Sequence, residues 1–150
     1  MKLKLVLVAV TFGALAIGHA GAAYAAPPKP ACSLLTPAQV GAVLGGSVEA
    51  GKAFTAKVCI WRGAPGKRAT LNLIGTQRFV YAKTPVGNGV AKTEVKGIGD
   101  DAVYVSTHGA PTTLTVKKGD DAFTLTVFGF SDDLTKAKER ELALEICSKL

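Results

Sequence analysis

The chain has 150 residues, of which 48% are hydrophobic and 7% aromatic, and its 18 Lys+Arg against 11 Asp+Glu give a formal net charge of +7. This composition is typical of one globular domain, and it excludes an intrinsically disordered chain, a collagen and a coiled coil. Nothing in it amounts to a catalytic signature.

The first 25 residues have the pattern of a secretory signal peptide. Lys2 and Lys4 precede an apolar run from Leu5 to Ile17, and small residues follow as far as Ala25. The run is shorter than the about 20 apolar residues that a membrane-spanning helix needs. We therefore predict cleavage after Ala25 and an exported protein, periplasmic or secreted, with no membrane span. Loss of Lys2 and Lys4 leaves 16 Lys+Arg against 11 Asp+Glu, a net charge of +5.

Residues 26–31 are predicted to form a proline-rich tether ahead of a single domain at 32–150. Cys32 lacks the apolar tripeptide of a lipoprotein signal, so we expect no lipid anchor there. A helix is predicted over Pro37–Leu44, because Thr36-Pro37-Ala38-Gln39 has the form of a capping box with proline at the first helical position. Gly45-Gly46 ends this helix.

From Val58 onward the apolar residues recur with a period of two, which predicts β-strands. The apolar residues of the last two strands alternate with threonines, so one face of an antiparallel sheet should be covered and the other polar. Between the second and third strands, Gln77–Lys83 fits a short helix. The five predicted strands are Lys57–Trp61, Ala69–Ile74, Ala102–Thr107, Thr112–Lys117 and Ala122–Phe128.

The C-terminal segment predicts the longest helix. Ser131 is a helix cap, Asp132 and Asp133 are acids in the first turn, and no Gly or Pro interrupts residues 136–150. The predicted fold class is therefore α+β: an antiparallel sheet of about five strands, flanked by an N-terminal helix and a longer C-terminal helix. The apolar stripe of the last helix consists of Leu142, Ala143, Ile146, Cys147 and Leu150.

Three cysteines in an exported chain allow one disulfide and leave one thiol. We favour a bridge between Cys32 and Cys59, which would tie the segment before the first helix to the first strand. A bridge between Cys32 and Cys147 is the open alternative. In the favoured pairing Cys147 is a free thiol, for which burial on the apolar stripe is a simpler interpretation than reactivity.

A cluster of basic residues is the candidate site for an anionic partner. Lys57, Arg62, Lys67 and Arg68 surround Trp61 in the sequence, although a solvated strand end would give the same pattern. We expect no nucleic-acid partner, because basic and aromatic residues are not interleaved in a known motif. An envelope protein or an anionic envelope component, such as lipid headgroups or polysaccharide, fits an exported protein. For Trp61, packing against the disulfide is a second interpretation.

Charge reversal at Lys67 and Arg68 is then expected to weaken partner capture without lowering the melting temperature.

No cofactor, metal or catalytic site is predicted anywhere in the chain. His108 is the one histidine of the mature chain, and no close group of metal-ligating residues has the spacing of a metal motif. Neither Ser106 nor Cys147 stands beside a recognisable partner base.

Four short motifs resemble those of a known group of proteins: Cys32-Ser33-Leu34-Leu35-Thr36, the Leu-Gly pair at 44–45, Cys59-Ile60-Trp61, and Gly97-Ile98-Gly99-Asp100-Asp101-Ala102. The chain is similar to small bacterial envelope domains of unknown function, many of which are lipoproteins. The resemblance implies an antiparallel sheet flanked by helices, like the PsbP-type sandwich, and a bridge between the first and second cysteines. It implies no catalytic residues.

The sequence thus favours an exported, non-enzymatic binding module of the bacterial cell envelope. Two alternatives belong to other classes. One is a carrier of a small apolar or lipid ligand, held between the last helix and the sheet. The other is a thiol-dependent enzyme or redox protein that uses Cys147.

Overall fold

The computed structural model describes residues 29–84, 87 and 89–150, so the predicted signal peptide and residues 26–28 lie outside it. Its centre is an antiparallel sheet of seven strands in the order β1-β2-β3-β7-β6-β5-β4. The strands are β1 Lys52–Thr55, β2 Val58–Arg62, β3 Arg68–Ile74, β4 Val90–Val95, β5 Asp101–Thr107, β6 Thr113–Lys118 and β7 Asp121–Phe128.

The α+β class and the antiparallel sheet are confirmed, but the expectation of about five strands is wrong. The five predicted strands correspond to β2, β3, β5, β6 and β7, and the two additional strands, β1 and β4, lie at the edges of the sheet. Edge strands are short or polar in many proteins because they have only one hydrogen-bonded neighbour. All four residues of β1 are exposed, which leaves no alternation of buried and exposed positions to recognise.

Within the described ranges, three α-helices accompany the sheet: α1 Pro37–Leu44, α2 Thr76–Lys83 and α3 Asp132–Cys147. The predicted capping box of α1 is present, since the Gln39 amide donates to Thr36 Oγ1 at 3.2 Å and the Thr36 amide donates to Gln39 Oε1 at 3.0 Å. Gly45 ends α1 in the left-handed region at a φ of 78°. Ser131 precedes α3 as predicted, but its hydroxyl makes no capping hydrogen bond.

A short turn precedes α1. Ala31, the last residue of the predicted tether, starts a single 3₁₀ turn over Ala31–Ser33. It is fully buried, and its amide donates to the carbonyl of Ala56 at 2.9 Å. The Cys32–Cys59 disulfide, which is confirmed, joins this turn to β2 across 27 residues.

The main core lies between one face of the sheet and the pair α1 and α3. The stripe of α3 contacts the sheet as predicted, with Leu142, Ala143 and Ile146 fully buried. Each large apolar side chain in such a core contributes about 1.5–3 kcal/mol to stability. The sheet residues that face this core include Cys59, Trp61, Leu71, Leu114, Phe123 and Leu125.

The second face of the sheet is covered only in part. There α2 packs through Phe79 against Val103 and Ala122, with Ile74 and Val105 beside them. This small cluster occupies the end of the sheet where β7 begins and β3 ends. Over the remainder of the second face, none of the described helices is packed.

Candidate functional site

The uncovered region of the second face, which we call the open face, is formed by β2, β3, β6 and β7. Its residues alternate with those of the core because successive side chains of a strand point to opposite sides. They are polar, basic or half-buried apolar rather than uniformly hydrophobic: Ile60, Arg62, Arg68, Thr70, Asn72, Thr113, Thr124, Thr126 and Phe128.

Two arginines lie side by side at one end of the open face. Arg62 of β2 is directly opposite Arg68 of β3, and Arg68 is directly opposite Phe128 of β7. The Arg68 guanidinium stands 3.8 Å from the centre of the Phe128 ring, a cation–π distance. We call Arg62, Arg68 and Phe128 the arginine corner.

A tight turn places the two arginines opposite each other. The Gly63 amide donates to the Lys67 carbonyl at 3.1 Å, and the Lys67 amide donates to the Ala64 carbonyl at 2.9 Å. Gly66 adopts a φ of 81°, a conformation that glycine reaches without the cost that a side chain would add. The turn therefore fixes the register that pairs Arg62 with Arg68.

No carboxylate of the described residues forms a salt bridge with either arginine. The salt bridges found among these residues join Lys83 to Glu94 and Asp101, and Lys118 to Asp100, at the other end of the sheet. Like charges directly opposite each other on neighbouring strands are destabilising. Guanidinium groups match the geometry of carboxylate and phosphate, so an anion bound at this corner would relieve the repulsion.

Trp61 does not belong to the surface patch. It is fully buried, on the core face of β2 together with Cys59. Gly51 covers both side chains so closely that a Cβ at this position would lie 2.6 Å from Cys59 Sγ. The indole therefore packs beside the disulfide, the second of the two interpretations that the sequence offered, and it is out of reach of a partner.

The other predicted patch residues are also separated by the fold. Lys57 precedes β2 and Arg62 ends it, so about 16 Å of strand separates them. Lys67 is engaged inside the protein, because its Nζ donates to the Leu44 carbonyl at 3.2 Å and lies 5.0 Å from the centre of the Phe130 ring. Of the predicted set, Arg62 and Arg68 are exposed side by side, and Lys67 lines the cavity of about 230 Å³ beside them.

Lysines bonded to main-chain oxygens account for part of the positive charge. Lys138 flanks Phe130 on the α3 side, 4.5 Å from the ring centre, and donates to the carbonyl of Val43 near the end of α1. Lys92 donates to carbonyls at the end of α2, and Lys149 donates to the Leu34 carbonyl at 2.6 Å. Cations near a helix C-terminus are stabilising, so part of the excess of basic residues stabilises the fold.

A groove of about 660 Å³ continues the open face beside α2. Its rim carries Arg78 and Tyr81 of α2 and Lys92 of β4, and its floor includes Thr113 and Thr124. None of the described residues that line it is acidic. The alternation of threonines predicts this polar face, but no signal in the sequence indicates that α2 leaves part of it uncovered.

The remaining candidates for chemistry lie apart from the open face. Cys147 is not disulfide-bonded and is half-buried, and burial raises the pKa of its thiol. Ser106 Oγ lies 2.9 Å from Thr112 Oγ1, and His108 is exposed in the following turn. Within the described ranges there is no group of three or more His, Cys, Asp or Glu residues that could hold a metal ion.

The interface between α3 and the sheet, where the alternative carrier function would place a ligand, is filled by the protein's own side chains. Leu142, Ala143 and Ile146 are fully buried there against Phe123 and other core residues. Space for a guest molecule in this interface would require displacement of that packing.

No protein-family model, no curated protein and no solved structure matches this chain. None of the helices in the described part is long and apolar enough to cross a membrane.

Proposed function

We propose that the protein is an exported, non-enzymatic binding module of the bacterial cell envelope, and that it holds an anionic envelope component at the arginine corner. The observation that carries the proposal is the Arg62–Arg68 pair: two exposed guanidinium groups directly opposite each other, with no salt-bridged carboxylate among the described residues. Export is supported by the sequence pattern of the first 25 residues.

The chemistry of the corner favours binding over catalysis. The guanidinium groups of Arg62 and Arg68 are hydrogen-bond donors without an acceptor atom, and Phe128 offers no reactive atom. Bidentate hydrogen bonds from arginine to carboxylate or phosphate give orientation as well as attraction. The corner is thus suited to hold an anion in one orientation without changing it.

The test compares two variants that reverse the same number of charges. R62E/R68E inverts the arginine corner, whereas K57E/K96E inverts two exposed lysines at the other end of the sheet. The mature protein and both variants are titrated with three anionic probes: phosphatidylglycerol vesicles, polygalacturonate and poly-glutamate. We expect wild type to bind at least one probe, R62E/R68E to lose at least about tenfold in affinity, and K57E/K96E to lose much less.

Two results would overturn the proposal. If wild type binds none of the probes, the proposal of an anionic partner is wrong. If both variants lose the same affinity, the effect comes from net charge and not from the arginine corner. Because exposed ion pairs are screened by salt, binding should also weaken between low salt and about 0.15 M salt. The melting temperature of each variant shows whether its fold is intact.

A further inference from the structure

We propose that the anionic partner is a polysaccharide, and that its chain lies across the open face from the arginine corner to the groove beside α2. This inference rests on the proposed function, because the arginine corner is one of its two anchoring points. It adds a ligand class and a second region of contact to that function.

The open face has cations at two separated places. Arg62 and Arg68 stand at the ends of β2 and β3 nearest the turn, and Arg78 stands on α2 at the rim of the groove. Arg78 is exposed, and no carboxylate lines the groove in the part of the chain that the structure describes. A ligand that contacts both places has to be long and has to carry more than one negative charge.

Between these two places the floor is made of hydroxyl groups. The strand register puts Thr70 opposite Thr126, and the hydroxyls of Thr126 and Thr113 lie 3.0 Å apart on the next pair of strands. A second row contains the half-buried pair Asn72 and Thr124, and it ends at Thr115, which is buried. Because neighbouring strands are about 4.8 Å apart, each row presents a polar group at a spacing comparable to the length of one sugar unit.

This floor suits a sugar chain better than a lipid surface. Hydroxyl and amide groups both donate and accept hydrogen bonds, as the hydroxyls of a sugar do. A protein that lies on a membrane presents cations around an apolar face that enters the lipid. Here the floor between the arginine corner and the groove is polar, and apolar side chains such as Ile74, Val90 and Val105 are confined to the groove itself. Charge complementarity and the hydrogen-bonding capacity of the floor together favour a hydroxylated polyanion.

The experiment uses short and long fragments of one polymer as probes. Polygalacturonate fragments of about three and about twelve units are titrated against the mature protein, and dextran phosphate of similar lengths is tested in parallel. We expect the long fragments of one polymer to bind at least about tenfold more tightly than the short ones, because only they reach both cationic regions.

Three variants locate the contacts. T113V/T126V removes both members of the hydroxyl pair and keeps their shape, a change with little effect on stability. This variant and R78Q are expected to lower the affinity for long fragments towards that for short ones. R62Q/R68Q is expected to lose affinity for both lengths. T93V, an exposed threonine of β4 outside the open face, is the matched control and should change neither.

The outcomes separate the two proposals. Equal affinity for short and long fragments, with affinity lost only in R62Q/R68Q, would overturn the polysaccharide proposal. It would leave the proposed anion site at the arginine corner standing. Binding to phosphatidylglycerol vesicles but to neither polymer would do the same and would identify a lipid partner. Unchanged affinity for long fragments in T113V/T126V and R78Q would also overturn the polysaccharide proposal. If wild type binds no anionic probe at all, both proposals fall.

Discussion

The Oε1 of Glu139 accepts a hydrogen bond from the Val127 amide at 3.0 Å, where a neighbouring strand would otherwise supply the acceptor. Val127 lies two residues beyond Leu125, the last residue of β7 that pairs with β6. Glu139 is fully buried on α3, and its Oε2 has no hydrogen-bond partner among the described residues. Burial raises its pKa to about 8, against smaller opposing effects of the Val127 hydrogen bond and Lys136. The titratable groups around it are Lys136 on α3 and the phenol of Tyr104 on β5.

This raised pKa predicts that stability falls as the pH rises. The folded protein keeps the proton of Glu139 up to about pH 8, whereas the unfolded chain releases it near the ordinary glutamate pKa of 4.5. The stabilisation is therefore complete below pH 4.5 and is lost progressively up to about pH 8. We expect the free energy of unfolding of E139Q to exceed that of wild type by roughly 2–4 kcal/mol at pH 8 and to approach it near pH 4.5. Urea denaturation across this range measures the difference.

Glu141 provides the control for that measurement, because it is an exposed glutamate on the same helix. E141Q should leave the pH dependence of unfolding unchanged. If E139Q and wild type show parallel curves from pH 4.5 to 8, Glu139 is not the group responsible, and its carboxyl must be charged in the folded protein at neutral pH.

Lys67 and Arg68 are neighbours with different roles, and substitution should separate them. Lys67 bonds the Leu44 carbonyl at the end of α1 and contacts Phe130, so K67Q is expected to destabilise the protein by about 1–2 kcal/mol. R68Q loses the cation–π contact with Phe128 but also removes the like charge opposite Arg62, so the two effects oppose each other and the net change should stay within about 0.5 kcal/mol. This replaces the expectation that charge reversal at both residues leaves the melting temperature unchanged. Equal destabilisation by K67Q and R68Q in chemical denaturation would refute the distinction.

The Cys32–Cys59 disulfide should stabilise the domain by limiting the freedom of the unfolded chain. It closes a loop of 27 residues, for which the chain-entropy model gives about 3–4 kcal/mol. We expect C32S/C59S to lower the free energy of unfolding by this amount. C147S, which leaves the bridge intact, is the matched control and should change it far less. An unchanged unfolding midpoint in C32S/C59S would contradict the prediction.

Local signals predicted much of the fold. The helix bounds Pro37–Leu44 follow from a capping box and a glycine stop, both of which act within a few residues. The faces of β6 and β7 follow from the alternation of apolar residues with threonines. The edge strand β4 was missed because its buried and exposed positions, with Lys92 and Glu94 among them, do not alternate strictly.

The candidate site was predicted less well, because it depends on contacts between distant elements. The sequence groups Trp61 with Arg62, but adjacent residues of a strand face opposite sides, which sends the indole into the core. The engagement of Lys67 depends on α1, which is far from it in sequence. Glu139 has no sequence signal at all, since a glutamate in a C-terminal helix is ordinarily exposed.

The final prediction concerns the Cys147 thiol and decides between the binding module and the thiol-dependent alternative. Burial raises the pKa of Cys147, with an opposing hydrogen bond from the Gly99 amide, and the thiolate is the form that reacts. Labelling by iodoacetamide at pH 7.5 should therefore be at least about tenfold slower in the folded protein than in urea without reductant. The Cys32–Cys59 bridge leaves a single thiol under these conditions, so the mass shift of one label gives the stoichiometry. Equally fast labelling in the folded protein would show an accessible thiolate and would restore the thiol-dependent alternative, whereas protection leaves Cys147 as part of the packing between α3 and the sheet.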